Sequence, residues 1–416
     1  MEELETKKKY DFNKGLFYGI LIASIVIIGG VRLYVGLSGN KVVIGSGNKF
    51  ISSSTELLDK ETVAKIEEIT NYMDINFYED IDEQEIRNSM YAGIVEGLND
   101  PYSVYYTREE YQSMQVSTSG VYCGIGVALV KDAKTKVVKI IKVYEGTPAE
   151  EAGIMKDDQI VSVEDVDASK KELSDLVDLI SGEEGATVHM KILRPSTNKT
   201  YEVDLERRDV EIPSVESNLA EEGIGYIRIY EFQKNTPNQF MKHLNHLKDQ
   251  GMKSLIVDLR DNPGGLLTSV VSLLDKLLPE GILVYTQDKY GNRQNYFSKA
   301  DCEQIPMVVL VNGNSASASE IFAGAMKDYE AATILGTTTY GKGIVQSVIQ
   351  LEDNDAIKIT TAKYYTPKGN YIHGVGITPD VELEYQYTGP QDKKYDQKYD
   401  NQLQKALKLL RQKESS

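Results

Sequence analysis

Residues 306–326 read P-M-V-V-L-V-N-G-N-S-A-S-A-S-E-I-F-A-G-A-M. The apolar run Met307–Val311 reads as a strand, and the pattern turns helical from Glu320. A strand, a polar corner and a helix make the repeating unit of an α/β core, in which active groups sit on loops beyond the strand ends. Ser317 occupies that corner. With Glu320 it fits the S-x-x-E capping box, in which the hydroxyl serves a helix amide and does no chemistry. The same alternation extends over 209–385, with strands expected at 225–230, 254–259, 307–311 and 333–336. Helices are expected at about 236–250, 266–278 and 316–328. Residues 356–366 alternate with period two and read as a further strand of the same core.

A second segment, T-T-T-Y-G-K-G-I-V-Q at 337–346, sets Lys342 between two glycines. A turn lysine is ordinarily solvated. To act as general base for a serine it must be neutral, a fall of about 3 units from its usual pKa and roughly 4 kcal/mol of lost ionisation. Given that, the amine takes the hydroxyl proton as oxygen attacks a carbonyl and returns it to the leaving amine, the work a histidine does in a triad.

Four blocks occur in order: L-R-D-N-P-G-G (259–265), N-S-A-S-A-S-E (314–320), G-K-G-I-V-Q (341–346) and G-V-G-I-T-P-D (374–380). Together they resemble the carboxyl-terminal processing peptidases, or tail-specific proteases, over about residues 56–408. The resemblance implies Ser317 as nucleophile, Lys342 as general base and Gln346 as the side chain that orients the lysine. If Lys342 and Gln346 lie on one strand, a separation of four puts both on one face. A tetrahedral intermediate needs amide donors. Ala318 at the helix start supplies one, and Gly264 or Gly265 in the N-P-G-G loop supplies another.

Residues 116–208 look like a PDZ domain, inserted before the protease core. T-P-A-E-E-A-G-I-M-K-D-D-Q-I-V (147–161) is its more specific segment, and Gly124-Ile125-Gly126-Val127 stands where a carboxylate-binding loop belongs. Successive amides there can hold a chain terminus while the peptide adds as an edge strand.

Residues 15–31 carry no charge, and apolar character resumes after Arg32 to Leu37. That length spans a bilayer, and the preceding Lys7, Lys8, Lys9 and Lys14 keep residues 1–14 cytoplasmic. The expectation is an uncleaved anchor at 15–37 in the plasma membrane, single-pass, with the catalytic body on the extracytoplasmic side. A tether over 38–54, rich in Gly, Ser and Asn, and a helical region over 55–115 follow. A connector and terminal helix close the chain over 386–416. The resemblance implies that the helical region and the last helix build a homodimer; the alternative is that both pack on their own subunit. It also implies a PDZ unit that gates activity.

A net charge of −17 argues against nucleic acid as a partner. Two cysteines, Cys123 and Cys302, make no disulfide framework. Of four histidines, His189 reads as a strand-surface residue, His243 and His246 as a solvated helix pair and His373 as a turn residue. No metal or organic cofactor is implied. The expected fold class is α/β, multidomain. The expected function is a membrane-anchored serine endopeptidase that holds the free C-terminus of a polypeptide substrate and cuts upstream. A catalytically inactive tethered PDZ adaptor is the competing reading.

Overall fold

The computed structural model describes residues 41–44, 50–53 and 57–414, except 222, 300–301, 303 and 391–394. The apolar stretch 15–37 lies outside the described residues. No helix among those described is long and apolar enough to cross a membrane. Within the expected tether, Lys41–Ile44 (β1) pairs antiparallel with Phe50–Ser53 (β2). The β-branched and aromatic residues on either side of Gly45-Ser-Gly-Asn48 favour strand, which the flexible composition of the whole stretch concealed.

Lys60–Asn76 (α1) starts at Asp59, whose carboxylate accepts the Thr62 N–H at 2.7 Å. No residue of α1 is buried, and Ile69, Tyr72 and Ile75 are 50, 64 and 77% exposed. Glu83–Glu96 (α2) is followed by the Asn99-Asp-Pro-Tyr-Ser103 break, with Asn99 at φ 53. After Val104–Tyr106 (β3), Arg108–Ser119 (α3) opens on a Thr107/Glu110 capping box and closes on left-handed Gly120.

Val121–Gly124 (β4) leads into a sheet of Val127–Lys131 (β5), Val138–Val143 (β6), Gln159–Val163 (β7), Val166–Asp167 (β8), Thr187–Arg194 (β9) and Lys199–Glu206 (β10). The order is β10-β9-β7-β6-β5, with β8 on β7, so β5 is an edge. Leu173–Ile180 (α4) seats Leu176 and Ile180 against it. Strand β9 alternates as its sequence predicts: Val188, Met190 and Ile192 are fully buried, while His189 faces outward beside Asp204 at 2.7 Å. Strand β4 pairs away from this sheet, with Arg208–Glu211 (β11).

The remaining chain forms two sheets. Val215–Glu221 (β12), Ile224–Ile229 (β13), Thr236–Asp249 (α5), Ser254–Asp258 (β14), Leu267–Leu277 (α6), Gly281–Asp288 (β15), Arg293–Ser298 (β16), Met307–Val311 (β17), Ala318–Asp328 (α7), Ala332–Gly336 (β18), Ile344–Gln350 (β19), Ala356–Tyr365 (β20) and Val381–Glu382 (β21) follow in order. Strands β13, β14, β17, β18 and β21 run parallel, with β12 antiparallel at the edge. Every residue of β14 and β17 is buried, which is why Leu255–Val257 and the whole of Met307–Val311 read as apolar runs. Leu255, Val257, Val309 and Val311 pack with α5, α6 and α7, and Ile256, Val308 and Leu310 face the opposite way.

Residues 356–365 do form a strand, but not with the parallel set. Strand β20 lies in an antiparallel sheet of order β16-β15-β20-β19, with β3 also on β20. Its half-buried alternation belongs to that solvated kind of sheet.

The last helix, Asn401–Glu414 (α8), buries Leu403, Ala406, Leu407 and Leu410 against Ile224, Ile256, Val308, Leu310 and Leu335 of its own chain. Its apolar face is therefore used within the subunit. A buried ion-pair group fastens its start: Arg260 lies 2.6 Å from Asp258 and 2.9 Å from Asp400.

Candidate active site

The corner after β17 places Ser317 at the head of α7, and the capping box is formed, with the Ser317 N–H donating to Glu320 Oε2 at 2.9 Å. An ordinary cap residue has extended backbone. Ser317 has φ 55 and ψ −112, a conformation a non-glycine residue holds only under constraint, of the kind found at strand-to-helix nucleophile turns.

The constraint comes from the L-R-D-N-P-G-G block. The backbone carbonyl of Asn262 accepts the Ala316 N–H at 3.1 Å and the Ser319 hydroxyl at 3.0 Å, and the Ser315 hydroxyl donates to the Leu259 carbonyl at 2.7 Å. Gly264, at φ 107, lies so close that a Cβ there would sit 2.8 Å from Cβ of Ser317 and 2.9 Å from N of Ala318. The Gly264 amide donates to Asn262 Oδ1 at 2.8 Å, which removes it as a candidate oxyanion donor. Gly265 and Ala318 line a cavity of about 260 Å³ together with Ser317. The Ala318 amide opens the helix and so has no intrahelical acceptor.

Glu320 does more than cap. Fully buried, its carboxylate also accepts from the Thr339 hydroxyl (2.6 Å), the Gly341 N–H (2.7 Å) and the Lys342 N–H (2.8 Å). One side chain thus holds the backbones of both Ser317 and Lys342. The buried Tyr364 hydroxyl lies 3.1 Å from the Ser317 carbonyl oxygen and 2.5 Å from that of Lys342. Burial, and then the Glu320 charge, hold that phenol well above its usual range, so it stays a donor. The G-V-G-I-T-P-D block backs the lysine turn: the Gly374 N–H donates to the Gly341 carbonyl at 2.8 Å and the Ile377 N–H to the Thr339 hydroxyl at 2.7 Å. All four sequence blocks therefore meet.

Lys342 is half-buried, and its amine lies 4.4 Å from the Tyr102 ring centroid. Burial, followed by the charge of Lys358, pushes its pKa below the ordinary lysine value against the opposing charges of Asp100 and Glu320. Gln346 lines the cavity and donates from Nε2 to the Thr360 hydroxyl at 3.3 Å. The strand-parity expectation fails, because Lys342 precedes β19, which begins at Ile344, and the register shifts between Val345 and Gln346. No histidine lines the Ser317 cavity. His243 bonds Ser217 and His246 bonds Gln250. Among the described residues no cluster of His, Cys, Asp or Glu could hold a metal ion.

The Gly124–Val127 loop precedes edge strand β5. The carbonyls of Ile125 and Gly126 accept from Ala149 (2.9 Å) and Tyr144 (3.0 Å). In trans peptides the next amides, of Gly126 and Val127, point the opposite way. Gly126, at φ 86, sits where a Cβ would lie 2.2 Å from that of Thr147. The sequence did not point to Tyr364 or to the second role of Glu320; S-x-x-E announced only the cap.

A strained serine at a strand-to-helix corner, in a chain that also carries a PDZ fold, fits a serine-type peptidase. Family models agree: residues 223–383 match peptidase family S41, 139–194 a PDZ domain, and 26–110 the N-terminal domain of the activating protease CtpB. The chain is 34% identical over 338 residues to a carboxyl-terminal-processing protease of Synechocystis sp., covering 78% of this chain and 77% of that one. It is 30% identical over 413 residues to a probable CtpA-like serine protease of Staphylococcus saprophyticus, covering 97% and 81%. Among solved structures it resembles the photosystem II D1 C-terminal processing protease, at 30% identity and a TM-score of 0.45, covering 77% and 86%. The chain belongs to the carboxyl-terminal-processing protease family of serine peptidases.

Proposed function

We propose that this peptidase is anchored by residues 15–37, works outside the cytoplasm and cleaves polypeptides upstream of a free C-terminus held by its PDZ domain. Ser317 is the nucleophile, Lys342 the general base and Gln346 the group that orients the lysine. The amides of Gly265 and Ala318 form the oxyanion hole, and the loop Gly124, Ile125, Gly126 and Val127 receives the terminal carboxylate. The observation that carries this reading is the Glu320 carboxylate bound to the backbones of both Ser317 and Lys342. The cavity beside Ser317 is walled by Phe232, Leu266, Ile321, Ile344 and Val345, which suits an apolar substrate side chain next to the scissile bond. The dimer is built on the exposed apolar residues of α1, since α8 is committed to its own core.

Hydrolysis runs without a cofactor. The neutral Lys342 amine takes the Ser317 proton during attack and gives it to the leaving amine; water then releases the acyl group by the reverse transfers. The test is cleavage of paired peptides with free and amidated C-termini by the full chain, with Ser317→Ala and Lys342→Arg alongside. Both variants are expected to lose cleavage, arginine because it cannot be deprotonated. Retained cleavage by either removes the dyad, and equal cutting of the two peptide forms removes tail recognition.

A further inference from the structure

The sequence Asn99-Asp-Pro-Tyr-Ser103 reads only as the end of a helical run, yet in the folded chain it reaches Lys342. The lysine amine rests 4.4 Å from the centroid of the Tyr102 ring, and among the described residues it has no hydrogen-bond or ion-pair partner. Beside it, the Asp100 carboxylate accepts from the Ser103 hydroxyl (2.6 Å), the Tyr102 N–H (3.2 Å) and the Thr360 hydroxyl (2.6 Å). The Ser103 hydroxyl also accepts the Thr360 N–H at 3.3 Å, which fixes the turn to β20.

Thr360 links this turn to Gln346. A hydroxyl has one proton, and when that proton goes to Asp100 the oxygen can only accept. Gln346 must then present its –NH2 end to Thr360, as it does at 3.3 Å. The end of the amide left over is its carbonyl, the acceptor that a neutral or charged amine needs.

We propose that the Asn99–Ser103 turn is a positioning device for the general base: Asp100, acting through Thr360, sets which end of the Gln346 amide is offered to Lys342, and the Tyr102 ring fixes where the amine rests. The inference rests on the Ser317–Lys342 reading and adds Asp100, Tyr102 and Thr360 as positioning residues. The charged groups facing the amine are Asp100 from this turn, Glu320 from α7 and Lys358 from β20, with the phenol of Tyr102 beneath it. Burial and Lys358 favour the neutral amine, while the two carboxylates oppose them.

Removing one carboxylate charge therefore lowers the pH at which the amine is protonated. The measurement is kcat and KM of the full chain against pH on fluorescein-labelled casein, with folding followed by thermal unfolding. In Asp100→Asn the acid limb of kcat/KM should move to lower pH by about half a unit or more. Thr360→Val, which changes no charge, should lose about tenfold in kcat at unchanged KM, and Thr360→Ser should restore it. Tyr102→Leu should move the acid limb in the same direction as Asp100→Asn, and Tyr102→Phe should bring it back, because a ring face stabilises an ammonium. A purely structural turn would change the unfolding temperature and leave these profiles alone. An unmoved acid limb in Asp100→Asn, or a Thr360→Val loss that serine does not restore, overturns the proposal. Lys342→Arg is measured in parallel: if it still cleaves, the dyad itself has failed, and if it is dead while the turn variants behave as wild type, only the positioning claim falls.

Discussion

Ser317 holds a backbone conformation that costs about 1–3 kcal/mol, and the surrounding contacts show what maintains it. Gly264 presses on it from one side and the Glu320 carboxylate grips its amide from the other. Gly264→Ala would place a methyl 2.7 Å from the Ala316 carbonyl oxygen at a backbone φ of 107, so the corner must move. A displacement of about 1 Å at a reacting atom costs on the order of a hundredfold. We expect kcat to fall by about that factor, with the loss read as weaker fluorophosphonate labelling of Ser317. Lys342 gives a pH prediction. Its folded pKa lies below the ordinary value, so between the two pKa values the unfolded chain binds more protons and stability rises with pH. Lys342→Met removes that penalty. The variant should unfold at a higher temperature than wild type at neutral pH, and its advantage should shrink as pH rises toward the ordinary lysine range. An equal difference at every pH would contradict the linkage.

Among the elements, α8 illustrates how a helix that could serve an interface is spent on a core. Leu403 and Leu410 are fully buried, and Asp400 at the helix start is paired with Arg260. Leu403→Ala should cost about 2–5 kcal/mol, measured as a shift of the denaturant midpoint. A cost near zero would mean the helix does not sit on β14 and β17 as described. The element that carries Gln346 shows the opposite economy. Between Val345 and Gln346 the pairing with β20 skips Thr361, and both residues line the Ser317 cavity; such irregularities are common beside active sites.

At the scale of the molecule, α1 leaves Ile69, Tyr72 and Ile75 in solvent, an arrangement that soluble chains resolve by association. Ile69→Glu with Ile75→Glu should convert the proposed dimer to a monomer by light scattering while the unfolding temperature of the core is kept. A wild-type chain that is already monomeric would remove the interface. How far this architecture could be read in advance follows from burial. Strands β13, β14, β17 and β18 were legible because they are largely buried on both faces and their sequences are predominantly apolar. Strand β16 was not, since it is largely exposed and carries Arg, Gln and Asn in the pattern of a loop. Ser317, Lys342 and Gln346 stood out through their motif blocks. Asp100, Thr360 and Tyr364 did not, because each acts by meeting a residue far away in the chain, a fact no local pattern encodes.

The proposed nucleophile rides on a helix of the parallel sheet, whereas the proposed base leads into a strand of the antiparallel one. Competence for hydrolysis is thus a property of the registry between two layers, joined locally by one carboxylate and one phenol. A slip of one layer past the other by a fraction of a side chain would silence the chemistry, and the shared packing of Leu283, Val284 and Tyr364 with the helices of the parallel sheet is what resists it.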